Sequence, residues 1–227
     1  MPTSQTFHNT ISKEELADLP TKEFAGYPVT VINVEQAEIA VRQIRESGMI
    51  VGFDTETRPS FQKGVTYRVC LVQLSVGKVC YLFRLNKIKE FPDCLKALLE
   101  DANVVKVGLS TQDDFMNLRK WDEELEPKGF IELQQLVKTY GIIDLSLAKI
   151  YALLFGLKLS KRQRLTNWEA DQLNPRQLAY ASLDAIACVE IYEALMTRGR
   201  DIIKQGMSWR FERKCTKVIC VESRFCI

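Results

Sequence analysis

The stretch YRVCLVQLSVGKVCYLFRL, residues 67–85, limits the folds open to this chain more than any other. Two β-rich runs flank Val76-Gly77-Lys78. Two such runs around a short glycine-containing turn make a hairpin. A further strand precedes it, MIVGFD at 49–54, and PVTVINV at 28–34 alternates as a strand does. EQAEIAVRQIRESG lies between these two at helical period and ends at Gly48. After the hairpin the pattern alternates: a helix in FPDCLKALLEDAN, a short strand in VVKVGLS (104–110) and a helix in TQDDFMNLRKW. Then comes the short apolar piece FIELQQLVKTYG and a mostly helical pattern to about Arg198. In NPRQ (174–177) Asn174 can cap a helix, Pro175 suits its first turn and Gln177 stands at the capping-box position, with Gly199 as the stop. Early strands with a hairpin, then strand–helix alternation, predict an α/β mixed sheet with helices on its faces.

The chain of 227 residues is 46% hydrophobic, enough to bury a substantial core. Its net charge of +2 excludes a strongly basic body, so contact with nucleic acid would need a local patch. The polar start has no signal-peptide core, and no run reaches the ~18 apolar residues of a membrane span. The expectation is a soluble, intracellular protein of the cytoplasm, without membrane contact. Residues 1–27 read as a loosely attached N-terminal arm, 28–199 as the domain, and 200–227 as a C-terminal tail containing the β-like run TKVICV. Of seven cysteines, Cys70, Cys80, Cys94 and Cys188 lie in apolar stretches and read as small hydrophobes. Cys215, Cys220 and Cys226 lack CxxC spacing, and the only histidine is the distant His8, which argues against zinc.

Three segments carry carboxylates that could meet. Asp54 and Glu56 are two apart in VGFDTET, so they share one face of a strand, with Gly52 behind them. Alone, such a pair can simply face water. Asp113-Asp114 follow VVKVGLSTQ, in the first turn of a helix capped by Ser110 or Thr111. Acids favour that place through the helix dipole, yet the preceding strand would end near Asp54 if it ran beside the first. In YASLD, Tyr180 and Asp184 are spaced i,i+4 on a helix whose neighbours Leu178, Ala181, Ala185 and Cys188 are apolar. An acid on a core-facing surface is costly unless partnered. Together these give four carboxylates on three segments. Clustered carboxylates raise one another's pKa unless cations intervene, and all-oxygen ligands suit Mg²⁺ or Mn²⁺. Two divalent ions about 3.5–4 Å apart are a standard device for phosphodiester displacement.

D-T-E, an aspartate after a V-G-L strand, and Y-x-x-x-D preceded by L-N-P-R-Q-L-A stand here in order. This pattern closely resembles the DEDD superfamily of 3′–5′ exonucleases, tyrosine subclass, in its RNase D and Werner-syndrome-type group. The resemblance covers about residues 28–197, including CLVQLSV and the stretch 146–185. It implies an RNase H-like mixed sheet, three antiparallel strands plus parallel ones, with helices on both faces. It also implies a metal-dependent 3′–5′ exonuclease acting on the 3′ ends of DNA or RNA. Asp54, Glu56 and Asp184 would then bind one metal ion and Asp54 would bridge to a second. Asp114, rather than Asp113, would hold that second ion, and Tyr180 would orient the attacking water; Thr55 would lie against substrate. The chain departs from the group in having Thr57-Arg58-Pro59 where Trp-Pro is usual after D-x-E, and Ile131-Glu132-Leu133 where V-D-L is frequent. These changes leave substrate preference open.

KLSKRQRLTNW (158–168) sets Lys158, Lys161, Arg162 and Arg164 beside Trp168. Such a segment can hold phosphates and stack a base, or it can be a solvated loop with Trp168 plugging the core. In the resembling family the region adjoins the third motif, which favours Lys161, Arg164 and Trp168 as substrate contacts. Two other functions compete with the nuclease: a nucleic-acid-binding or scaffold module with little turnover, and hydrolysis of a small phosphate ester at the same metals.

Overall fold

A computed structural model describes residues 9–204, with side chains through residue 198. Cys215, Cys220, Cys226, the TKVICV run, His8 and most of the expected tail lie outside the described residues. The elements are α1 (Lys13–Asp18), β1 (Tyr27–Val31), α2 (Val34–Glu46), β2 (Val51–Thr57), β3 (Val69–Val76), β4 (Val79–Phe83), α3 (Leu85–Ile88), α4 (Asp93–Glu100), β5 (Lys106–Gly108), α5 (Thr111–Leu118), β6 (Phe130–Glu132), α6 (Leu133–Thr139), α7 (Leu147–Phe155) and α8 (Pro175–Lys204). The six strands form one sheet in the order β1-β4-β3-β2-β5-β6. β2, β3 and β4 are antiparallel neighbours, while β1, β5 and β6 join in parallel. This is the mixed sheet that the sequence pattern predicts. The hairpin closes through Gly77 at φ +56, a backbone state that glycine adopts without steric cost.

Helices cover both faces. On one, α2 buries Ala37, Ala40, Val41 and Ile44, an i, i+3, i+4, i+7 stripe. That stripe joins Leu95, Leu98 and Leu99 of α4, Phe115 and Leu118 of α5, and Val51, Phe53, Val72 and Leu74 of the sheet in one apolar core. On the other face α8 sets Ala181 and Ala185 against Cys70, Leu71, Cys80 and Leu82. Cys70, Cys80 and Cys188 are buried thiols, as expected of small hydrophobes; Cys94 is half-buried.

Four boundaries differ from the sequence reading. β2 does not stop at Asp54 but runs on to Thr57, with a bulge between Glu56 and Thr57, so the carboxylates lie within the paired strand. The apolar piece after Gly129 opens with a three-residue edge strand, β6, too short for its period to be visible. α8 passes through Gly199 to Lys204, a single glycine being tolerable inside a long helix. From Asn9 onward the lead-in is pinned rather than loose. The Asn9 carbonyl accepts from the Ile143 N–H, the Ile11 N–H donates to Asp144, and Lys22 N–H donates to the Lys158 carbonyl at 2.9 Å while Lys158 N–H donates to that of Pro20 at 2.9 Å. Among the described residues no helix is long and apolar enough to cross a membrane.

Candidate metal centre

The site is built where α8 presses on β2. A Cβ on Gly52 would run into the Ala185 carbonyl oxygen and the Ser75 hydroxyl, so glycine at 52 is what lets the helix backbone come this close. That approach brings Asp184 to the even-numbered face of β2, where Asp54 and Glu56 project. One carboxylate oxygen from each of Asp54, Glu56 and Asp184 lies within 4.8 Å of the others. The start of α8 is fixed by the capping box read from NPRQ. The Asn174 side chain accepts from the N–H groups of Arg176 (2.9 Å) and Gln177 (3.0 Å), and the Asn174 N–H donates to the Gln177 side chain at 3.1 Å. The Gln177 amide also donates to the Thr166 hydroxyl at 3.0 Å, tying the helix start to the basic segment.

Asp114 arrives from the far side of β2. β5 runs parallel to β2 with Gly52 opposite Val107, so α5 begins beside the carboxylates. Of the two aspartates in its first turn, Asp113 is exposed and Asp114 is half-buried. Asp114 accepts a hydrogen bond from the Thr55 hydroxyl. Thr55 thus spends its donor on a carboxylate of the cluster. The expected cap is absent: Ser110 makes no side-chain cap bond and sits at φ +61. Glu132 takes that role from across the sheet edge.

The electrostatics are those of a cluster short of positive charge. Burial, then Asp184, raises Asp54 well above the carboxylate range. Burial, then the charges of Asp54, Asp184 and Asp114, pushes Glu56 up to about 10, while Arg164 pulls it down. Burial raises Asp114 with help from Asp54. Burial raises Asp184, against the opposing pull of the Tyr180 hydrogen bond and Lys161. The Tyr180 hydroxyl is driven upward by burial and by Asp184 and Glu56, so it stays protonated. Gathered oxygens with strained ionisation fit a hard divalent cation, whose charge would reverse these shifts.

Lys161 and Arg164 are exposed, and both act on the cluster by their charge. Trp168 requires a correction. It is wholly buried among Cys70, Leu71, Cys80, Leu82 and Ala181, with its ring 5.9 Å from that of Tyr180. It backs Tyr180 and has no face open to a base; the core-plug alternative is the one realised. Two residues escape a sequence reading. Gln73 stands opposite Asp54 on β3, fully buried, with neither amide atom hydrogen-bonded within the protein. A polar residue inside the apolar run CLVQLSV was the signal. Glu132 is the other, and its signal was the departure from V-D-L.

A family model described as 3′–5′ exonuclease matches residues 28–200. The chain is 33% identical over 201 residues to the bifunctional 3′–5′ exonuclease/ATP-dependent helicase WRN of Mus musculus, covering 83% of this chain and 14% of that protein. It is 32% identical over 203 residues to a 3′–5′ exonuclease of Arabidopsis thaliana, covering 82% of this chain and 69% of that one. Among solved structures, the Nibbler EXO domain of Aedes aegypti superposes with a TM-score of 0.72 at 21% identity, covering 80% of this chain and 94% of that one. The shared fold is the RNase H-like mixed sheet. The chain spans only a small fraction of the mouse protein's length.

Proposed function

The chain belongs to the 3′–5′ exonuclease family, and from that premise we propose that it removes nucleotides from the 3′ end of DNA or RNA with the help of two divalent metal ions, Mg²⁺ or Mn²⁺. The observation that carries this reading is the meeting of Asp54, Glu56 and Asp184 oxygens within 4.8 Å, with Asp114 one hydrogen bond away through Thr55. Asp54, Glu56 and Asp184 would hold one ion, and Asp114, together with Asp54, would hold the other. Bound there, such ions supply Lewis acidity and stabilise the charge that develops on the leaving oxygen.

The protein's own groups do the rest. The reaction forms a bond from a water oxygen to phosphorus and breaks the bond from phosphorus to the 3′ oxygen. It releases a nucleoside 5′-monophosphate and leaves a shortened chain ending in a 3′-hydroxyl. Tyr180 keeps its proton and donates to Asp184, so it cannot serve as the base. Its oxygen accepts a hydrogen bond from the attacking water and so fixes its direction. Trp168 and the α8 backbone hold the tyrosine ring in place. Lys161 and Arg164 face the cluster from its exposed rim and hold the phosphodiester backbone. Neutralising the cluster also favours entry of an anionic strand that four carboxylates would otherwise repel.

The test uses 5′-labelled single- and double-stranded DNA and RNA oligonucleotides with Mg²⁺, Mn²⁺ or EDTA on a denaturing gel. A metal-dependent ladder that shortens one nucleotide at a time is expected, and Asp54→Ala should abolish it without loss of the fold. A mobility shift without shortening would replace the nuclease by a binding module. Cleavage of small phosphate esters alone would move the activity to that class.

A further inference from the structure

Glu132 is an acid that the catalytic scheme does not use, yet it is the most heavily hydrogen-bonded carboxylate near the site. It ends β6 and stands at the N-cap of α6. Its Oε1 accepts from the Ser110 N–H at 3.0 Å and the Gln134 N–H at 2.9 Å. Its Oε2 accepts from the Thr111 N–H at 2.8 Å and the Thr111 hydroxyl at 2.9 Å. One side chain therefore caps two helices, α6 locally and α5 across the sheet. The need for this second cap is visible in the backbone. Ser110 turns the chain from β5 into α5 through φ +61, in the left-handed region that is sterically unfavourable for a non-glycine residue. Its own hydroxyl is engaged elsewhere, accepting from the Gln134 amide at 2.9 Å. Without Glu132 the Ser110 and Thr111 N–H groups would lose their acceptor, and the unfavourable turn would be held less firmly.

We infer that Glu132 is the positioning residue for Asp114: by clamping Ser110 and Thr111 it sets the direction and rotation with which α5 leaves the sheet, and so places the Asp114 carboxylate beside Asp54. Asp114 stands three residues after Thr111, on the first turn of α5, where a tilt or fraying of the helix start moves it directly. Thr55 fixes Asp114 from the β2 side and Glu132 fixes it from the β6 side. This inference rests on the reading of Asp114 as a metal-holding residue.

Glu132→Gln keeps the size but puts an NH₂ group where one oxygen now accepts, so it cannot serve every donor. Glu132→Asp keeps the charge and both acceptors. Leu136→Ala, in the buried face of α6, lowers stability in the same region without touching the clamp. Mn²⁺ binding is measured from the free-ion EPR signal, alongside kcat and KM on an oligonucleotide. Glu132→Gln is expected to weaken the second Mn²⁺ by about 10–100-fold and to lower kcat comparably, with KM nearly unchanged. Glu132→Asp should recover most of the loss, and Leu136→Ala should leave Mn²⁺ binding intact while lowering Tm. Two normal Mn²⁺ affinities in Glu132→Gln would overturn the inference. So would a Leu136→Ala variant that loses Mn²⁺ to the same degree. A parent protein that binds two Mn²⁺ but shortens no oligonucleotide would end the nuclease reading alone, because the Mn²⁺ titration of the variants still decides the role of Glu132.

Discussion

The two faces of β2 are built from the same seven residues and have opposite character. Val51 and Phe53 point into the apolar core and are fully buried. Phe53 meets Phe130 edge-on at 5.1 Å and Phe115 at 6.1 Å between ring centroids. Gly52, Asp54 and Glu56 point the other way, under α8, where burial disfavours the charged carboxylates and polar groups such as Gln73 are left without partners. The strand period of two makes this division possible: one face of β2 fixes its position so firmly that the other can hold groups that destabilise the fold on their own. Cross-strand pairing adds to it, since Asp54 lies opposite Gln73 while Phe53 lies opposite Leu74.

The sharpest way to break the comparison is to remove the ring that anchors the dry face. Phe53→Ala deletes a wholly buried aromatic and should cost about 3–5 kcal/mol of unfolding free energy in a urea titration. Asp54→Asn, one residue along, should leave that free energy unchanged or raise it while abolishing cleavage. A Phe53→Ala variant that lost less than about 1 kcal/mol would mean the anchoring lies elsewhere and the two faces are not divided in this way.

How far the sequence foretells each face follows from the same physics. The dry face was readable because burial imposes a period: Ala37, Ala40, Val41 and Ile44 announce α2, and the hairpin runs announce β3 and β4. The cap at Asn174 was readable because its partners lie within three residues. Asp54, Glu56, Tyr180 and Asp184 stood out as local pairs, and their meeting follows once α8 is laid on the sheet. What could not be read depends on contacts distant in sequence. Trp168 beside four basic residues looks like a stacking platform until the closed packing of Cys70, Leu82 and Ala181 around it is known. Side-chain types alone do not separate Asp113 from Asp114; the resemblance favours Asp114, and the contact that distinguishes it comes from a hydroxyl fifty-nine positions away, that of Thr55. Glu132 as the cap of α5 could not be found from α5 itself, because a cap from another strand leaves no mark near the helix it serves. The lead-in reads as loose because its tethers join its own backbone to partners far along the chain, the Asp144 carboxylate and the Lys158 backbone, which nothing in the local sequence announces.

A second prediction sharpens the contrast through pH. Glu56 has its pKa raised from 4.5 to about 10, first by burial and then by Asp54, Asp184 and Asp114. A raised folded-state pKa means that the folded protein holds a proton the unfolded chain would release. The contribution to stability is therefore fully present below about pH 4.5 and is lost as pH rises toward about 10. In EDTA, Tm should fall between pH 6 and pH 9, and Glu56→Gln should flatten that fall, raising Tm at the alkaline end by a few degrees, since 1 kcal/mol moves Tm by roughly 2–4 °C in a chain of this size. Saturating Mg²⁺ should flatten it in the parent protein as well. Equal pH slopes for parent and Glu56→Gln in EDTA would show that the carboxylates are better solvated than their place under α8 implies.

The smallest expected effect separates the rim from the cluster. Arg164 is exposed, and its charge opposes the upward shift of Glu56. An exposed guanidinium exchanges one set of hydrated contacts for another when a phosphate binds, so its removal should cost only about 1 kcal/mol. Arg164→Ala should raise KM for an oligonucleotide about 3–10-fold, leave kcat within about twofold, and reduce the dependence of binding on salt by close to one phosphate contact. Lowered kcat with unchanged KM would place Arg164 in the chemical step instead. Its charge would then stabilise the transition state at the cluster itself, and the boundary between the charged face of β2 and its solvated rim would have to be drawn outside residue 164.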